Sequence, residues 1–128
     1  MEKVHRVIMI FFIAAVIVIA SLFAVYMNLT GKVIENPVNE NVLYYGSTCS
    51  HCKIIEEFIN SNNITEKLKF EQKEVFENKE NANELTKVAE YCKLDSSNIG
   101  VPFMYYEGEC YIGDIDIIKL LKEKANIS

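Results

Sequence analysis

From Val7 to Gly31 the sequence carries no charged residue, and from Val7 to Met27 its only clearly polar residue is Ser21. An uninterrupted apolar stretch of this kind admits few fates. A helix of about 20 apolar residues spans a bilayer. A buried core helix would keep one polar face, and this run is apolar all round. A cleaved signal peptide has an apolar region of only ~7–15 residues that ends in small residues. Here Leu22, Phe23, Tyr26 and Met27 occupy that end. The run is therefore expected to be an uncleaved, single-pass anchor over residues 7–29. Lys3, His5 and Arg6 precede it and only Lys32 closely follows. The positive-inside tendency then places residues 1–6 in the cytoplasm and the rest outside, at the cell membrane.

Residues 30–40, with Gly31, Pro37 and no apolar periodicity, are expected to form a linker, and residues 41–128 a small folded domain. After residue 36 there are ten lysines and sixteen acids, interspersed, for a net charge of −6. That pattern is a solvated surface. With no arginine after Arg6 and no basic patch, nucleic-acid binding is excluded. The four cysteines, Cys49, Cys52, Cys92 and Cys110, all follow the apolar run. On the expected orientation they face an oxidising compartment, where disulfides persist.

Val42-Leu43-Tyr44-Tyr45 is a short apolar run ending at Gly46, as in a buried strand. Ser47 or Thr48 is expected to cap a helix starting near Cys49, in which Ile54, Ile55, Phe58 and Ile59 recur at helical spacing. Asn62-Asn63 ends it. Leu68 to Val75 alternates weakly, and its polar content suits an edge strand. Ala82, Leu85, Val88, Ala89 and Cys92 share a face of a second helix, and residues 95–100 form a loop. Val101 to Tyr106 is expected to be a strand that turns at Glu107-Gly108 and pairs back through Cys110-Tyr111-Ile112. Asp114 is expected to cap a last helix with Ile117, Ile118, Leu120 and Leu121 inward. Tyr44, Tyr45, Phe70, Phe103 and Tyr105 are expected in the sheet and core. The order β-α-β-α-β-β-α implies one four-stranded mixed sheet with helices on both faces.

The pair in Ser47-Thr48-Cys49-Ser50-His51-Cys52-Lys53 admits three chemistries. A structural zinc site needs a second close pair of ligands, whereas Cys92 and Cys110 are far apart in sequence. A disulfide across two residues closes too small a loop to be a useful staple. Thiol–disulfide exchange suits the spacing, because one thiol attacks a partner and its neighbour resolves the mixed disulfide. The position after a strand and at a helix start favours it further. Helix N–H groups and dipole stabilise a thiolate there, and His51 adds positive charge. Cys49 is then the nucleophile and Cys52, one turn in, the resolving thiol.

The segment LYYGSTCSHCK resembles the active-site strand, loop and helix start of the thioredoxin-like superfamily. GVPF resembles the strand bearing that family's cis-proline, here Pro102, and YIGDIDIIKLL resembles the end of a glutaredoxin. The resemblance covers residues 42–124. It implies a thioredoxin fold, catalysis by Cys49 and Cys52, thiolate tuning by His51, and substrate binding at Val101, Ser50 and Gly113. His51 is similar to the histidine of DsbA-like disulfide oxidases. The acid that thioredoxins carry on the first strand is replaced by Leu43. In an oxidising compartment Cys92 and Cys110 are expected to pair if their Cα atoms approach within ~7 Å.

The function expected is a membrane-anchored, extracytoplasmic thiol–disulfide oxidoreductase acting on protein thiols or disulfides. It would use no cofactor and no metal. A membrane redox partner, either a quinone-linked oxidase or a transmembrane reductant, would reset it. Two other classes remain open: a soft-metal protein using Cys49 and Cys52, and a non-catalytic thioredoxin-fold binding module.

Overall fold

The computed structural model describes residues 1–29 and 36–127. The chain divides into two units at Ile34, each considered by itself. The first is helix α1 (Glu2–Leu29). Its stretch Glu2–Tyr26 has a mean hydropathy of 3.1, long and apolar enough by length and composition to cross a membrane. Residues 30–35 of the expected linker lie outside the described residues.

The second unit runs β1 (Val42–Tyr45), α2 (Ser50–Ser61), α3 (Ile64–Lys67), β2 (Glu71–Glu74), α4 (Lys79–Tyr91), a 3₁₀ turn (Ser96–Asn98), β3 (Phe103–Tyr106), β4 (Glu109–Ile112) and α5 (Asp114–Lys124). The strands form one sheet in the order β2-β1-β3-β4. β1 and β2 are parallel; β3 is antiparallel to both β1 and β4. This is the mixed four-stranded α/β arrangement expected from the sequence, with the polar β2 on an edge.

Strand alternation sorts the core into two halves. Leu43, Met104 and Tyr106 point to one face, where α2, α3 and α5 supply Ile55, Ile59, Ile64, Ile117 and Leu121. Val42, Tyr44, Phe103 and Tyr105 point to the other, under Leu85 and Val88 of α4. Val38, placed in the linker by the sequence reading, is buried in this second half. A one-residue slip of β1 would exchange Leu43 with Tyr44 between faces, so burial on both sides fixes the register. The Tyr44 hydroxyl is satisfied inside the core. It donates to Glu84 Oε1 at 2.7 Å, and Lys73 Nζ reaches the same oxygen at 2.8 Å. Burial first, then that carboxylate, push the Tyr44 phenol far above its usual range. The trio ties α4 to β1 and β2.

Four local expectations need correction. β2 begins at Glu71, opposite Val42, rather than at Leu68. The preceding residues make the one-turn helix α3, whose Ile64 is fully buried. Helix α2 is capped by Cys49, not by Ser47 or Thr48. β3 starts at Phe103 rather than Val101, since Pro102 has no N–H for the ladder. Helix α5 is capped by Gly113 without a side-chain bond, and Asp114 is its first residue. Gly113 sits at φ 86°, a conformation that favours glycine, and the Asp114 carboxylate is engaged elsewhere.

Candidate active site

The chain leaves β1 at Tyr45 and turns within four residues, the Cys49 N–H donating to the Gly46 carbonyl at 3.1 Å. The Phe76 ring packs over Gly46, in the space a Cβ would enter. Helix α2 then starts. Cys49 has extended backbone angles, and its Sγ accepts the Cys52 N–H at 3.1 Å. A sulfur therefore takes the place usually filled by a serine, threonine or aspartate oxygen. Cys49 is half-buried and Cys52 buried. The two are joined as a disulfide with Cα atoms 5.2 Å apart.

The loop before β3 completes the arrangement. The Val101–Pro102 peptide is cis, and the Val101 carbonyl oxygen lies 3.6 Å from Cys49 Sγ. The Pro102 carbonyl accepts the Gly113 N–H at 2.9 Å. Cys49, Cys52, Val101, Pro102 and Gly113 are thus brought together from three separate segments. Ser50 is exposed on the first turn of α2 beside them.

The His51 side chain meets the start of α5. Its Nδ1 is 3.1 Å from Asp114 Oδ1, with the imidazole side chain 65% exposed. Nδ1–H donating to the carboxylate leaves Nε2 open to solvent. The hydrogen bond from His51 holds the Asp114 carboxyl below its usual range.

Glu74, which sequence reasoning did not single out, holds the site loop from the other side. Its Oε1 accepts the N–H groups of Ser47 at 3.2 Å and Phe76 at 2.8 Å. Its Oε2 accepts those of Glu77 at 2.9 Å and Asn78 at 3.2 Å. Desolvation raises this carboxyl, but the four N–H donors outweigh it and leave it below its usual range. The available signal was an acid at a strand end, four residues before the Asn78 helix cap. A depressed folded-state value stabilises the fold above the unfolded value of about 4.3 and is lost as pH falls through the folded value. Glu74→Ala is therefore expected to unfold at lower urea concentration than the parent at pH 7. The gap should narrow as the pH drops below about 4, checked by urea melts at both pH values.

Cys92 and Cys110 are also joined, with Cα atoms 6.3 Å apart, and link the end of α4 to β4. Among the described residues no group of three or more His, Cys, Asp or Glu side chains is arranged to hold a metal ion.

Strand order, a disulfide-bonded Cys-x-x-Cys at the start of the helix after β1, and a facing cis-proline together make up a thioredoxin-like fold. Among solved structures the chain is similar to a mutant thioredoxin-like protein. The two share 22% identity, over 71% of this chain and 100% of that one, with a TM-score of 0.49. No protein-family model and no curated protein matches the sequence.

Proposed function

We propose that this chain is a membrane-anchored thiol–disulfide oxidoreductase whose domain works outside the cytoplasm on protein thiols or disulfides. One observation carries the reading. The Cys49 sulfur is itself the N-cap of α2, receiving the Cys52 N–H at 3.1 Å. An acceptor in that position is better as an anion than as a neutral atom. Reduction of the pair would therefore leave Cys49 with a thiolate favoured by the helix it caps, which is what an attacking and leaving sulfur requires.

In the oxidising direction a substrate thiolate attacks Cys49 Sγ and the Cys49–Cys52 bond breaks toward Cys52. A second substrate thiol then displaces Cys49 from the mixed disulfide. The substrate leaves as a disulfide and the pair as two thiols. The reducing direction is the same path reversed. The Val101 carbonyl, 3.6 Å from Cys49 Sγ, is placed to accept a backbone N–H from an extended substrate, with Ser50 and Gly113 on its flanks. His51 tunes the thiolate from the exposed side, moderated by Asp114. The charge before α1 supports the orientation with the domain outside, where a membrane oxidase or reductant would reset the pair.

The test is a redox titration of the full chain in detergent, with thiols trapped and counted at each potential. Two thiols titrating near −120 to −180 mV, on the order of known oxidant and isomerase couples, mark an oxidase or isomerase. A midpoint near about −270 mV marks a reductase. If Cys49 and Cys52 do not titrate and a soft metal copurifies, the proposal is wrong.

A further inference from the structure

Thiol–disulfide exchange asks two different things of its sulfurs. Cys49 is met by solvent and substrate. Cys52 is only 6% exposed, yet it must gain a proton when the disulfide opens and lose it when the disulfide closes. A thiol held in apolar surroundings ionises less readily than a free one, so Cys52 needs a proton acceptor within reach. Leu43 of β1, which lines a cavity together with Cys52, has no group that could accept one.

A cavity of about 120 Å³ meets this need; its lining includes Cys52, Leu43, Gln72, Lys53 and Glu56. One water requires only ~10–15 Å³ of such space and two to four polar partners. The cavity therefore has room for several waters, and Gln72, Lys53 and Glu56 supply polar groups. Glu56 follows Cys52 by four residues on α2, which puts both on one helix face. Cys52 is buried and Glu56 exposed, so the cavity is lined at once by a buried cysteine and by an acid in contact with bulk solvent.

We propose that Glu56 is the proton acceptor and donor of the Cys52 thiol, acting through water in this cavity. The inference rests on the thiol–disulfide exchange proposed above. On closing, Cys52 Sγ–H gives its proton through water to the Glu56 carboxylate. The resulting thiolate attacks Cys49 Sγ, a Cys49–Cys52 bond forms, and the substrate sulfur leaves with the electron pair. On opening, the Cys52 sulfur receives the electron pair of the broken bond and takes the proton back. Lys53 on the same wall steadies the transient negative charge. The other ionisable groups near the cavity are Tyr45 of β1, which also lines it, and Glu74 of β2, committed to the N–H of Ser47.

The test uses the reduced full chain in detergent and a symmetrical aromatic disulfide whose released thiolate is coloured. Attack by Cys49 releases one equivalent and closure by Cys52 a second, so the two steps appear as two phases. Cys52→Ser marks the loss of the second phase. Glu56→Gln is expected to spare the first phase and slow the second roughly 10- to 100-fold near neutral pH. The deficit should close only as pH rises past the free-thiol value of about 8.5, where the buried Cys52 thiol ionises unaided. Glu56→Asp should restore part of the rate. An unchanged second phase in Glu56→Gln, or a slowing equal at every pH, overturns the inference while leaving the exchange reading intact. If the wild-type chain lacks the first phase, the exchange reading itself fails and this inference with it.

Discussion

Cys49→Ser is expected to abolish thiol–disulfide exchange, a loss on the order of a thousandfold or more, while leaving the domain folded. The two halves of that expectation have separate causes. Cys49 is the N-cap of α2, and serine is among the residues preferred there. The substitution therefore keeps the helix start, and its hydroxyl can accept the same Cys52 N–H. What disappears is a group able to be both nucleophile and leaving sulfur at neutral pH. Circular dichroism with the coloured-disulfide assay separates the two. Activity retained in Cys49→Ser would mean that exchange does not occur at this pair. A binding module that uses the same surface without chemistry would show that result.

The double variant Cys92→Ala/Cys110→Ala is expected to lose about 3 kcal/mol of stability, the entropy of closing a loop of this size in the unfolded chain. The bridge spans 18 residues of sequence and ties the C-terminal end of α4 to β4. For a domain of under a hundred residues that corresponds to a fall in Tm of roughly 10–20 °C. Changing both residues avoids an unpaired thiol that could attack the Cys49–Cys52 pair. Thermal melts of the two full-length proteins in detergent measure it. A shift of only a few degrees would mean that the bridge contributes little to the folded state.

The sheet was legible in the sequence where a short run is apolar on both faces. Val42 to Tyr45 and Phe103 to Tyr106 are almost wholly buried, and their patterns gave the two central strands nearly to the residue. β2 was harder to place. Its residues are charged or polar, and its start is set by the ladder to β1, which begins at Val42 opposite Glu71. The apolar Leu68 and Phe70, the best strand formers nearby, instead pack against the core from the exit of α3.

At the site, Cys49, Cys52 and Pro102 stood out because spacing and neighbours carry the signal. The helix caps did not. Asp114 looked like a cap on composition, but its carboxylate serves His51, 63 residues earlier. Glu74 and Glu56 were ordinary surface acids in the sequence. Each acquires its place from what the fold sets beside it: the Ser47 N–H for one, the cavity next to Cys52 for the other. Contacts of this kind have no local periodicity to betray them.

The outer edge of the sheet carries a further consequence. Among the described residues β2 pairs with β1 alone, which leaves it at the border of the sheet. On the function proposed above, this border would be presented to substrate chains with unpaired strands of their own. An unguarded border would let a client zip on and remain, turning a brief encounter into a stacked aggregate. Here the border reads Glu71-Gln72-Lys73-Glu74, and a strand laid against it would have to strip water from charges with nothing to repay them. The same four residues that hid β2 from a hydrophobicity pattern make this border a poor template for another strand.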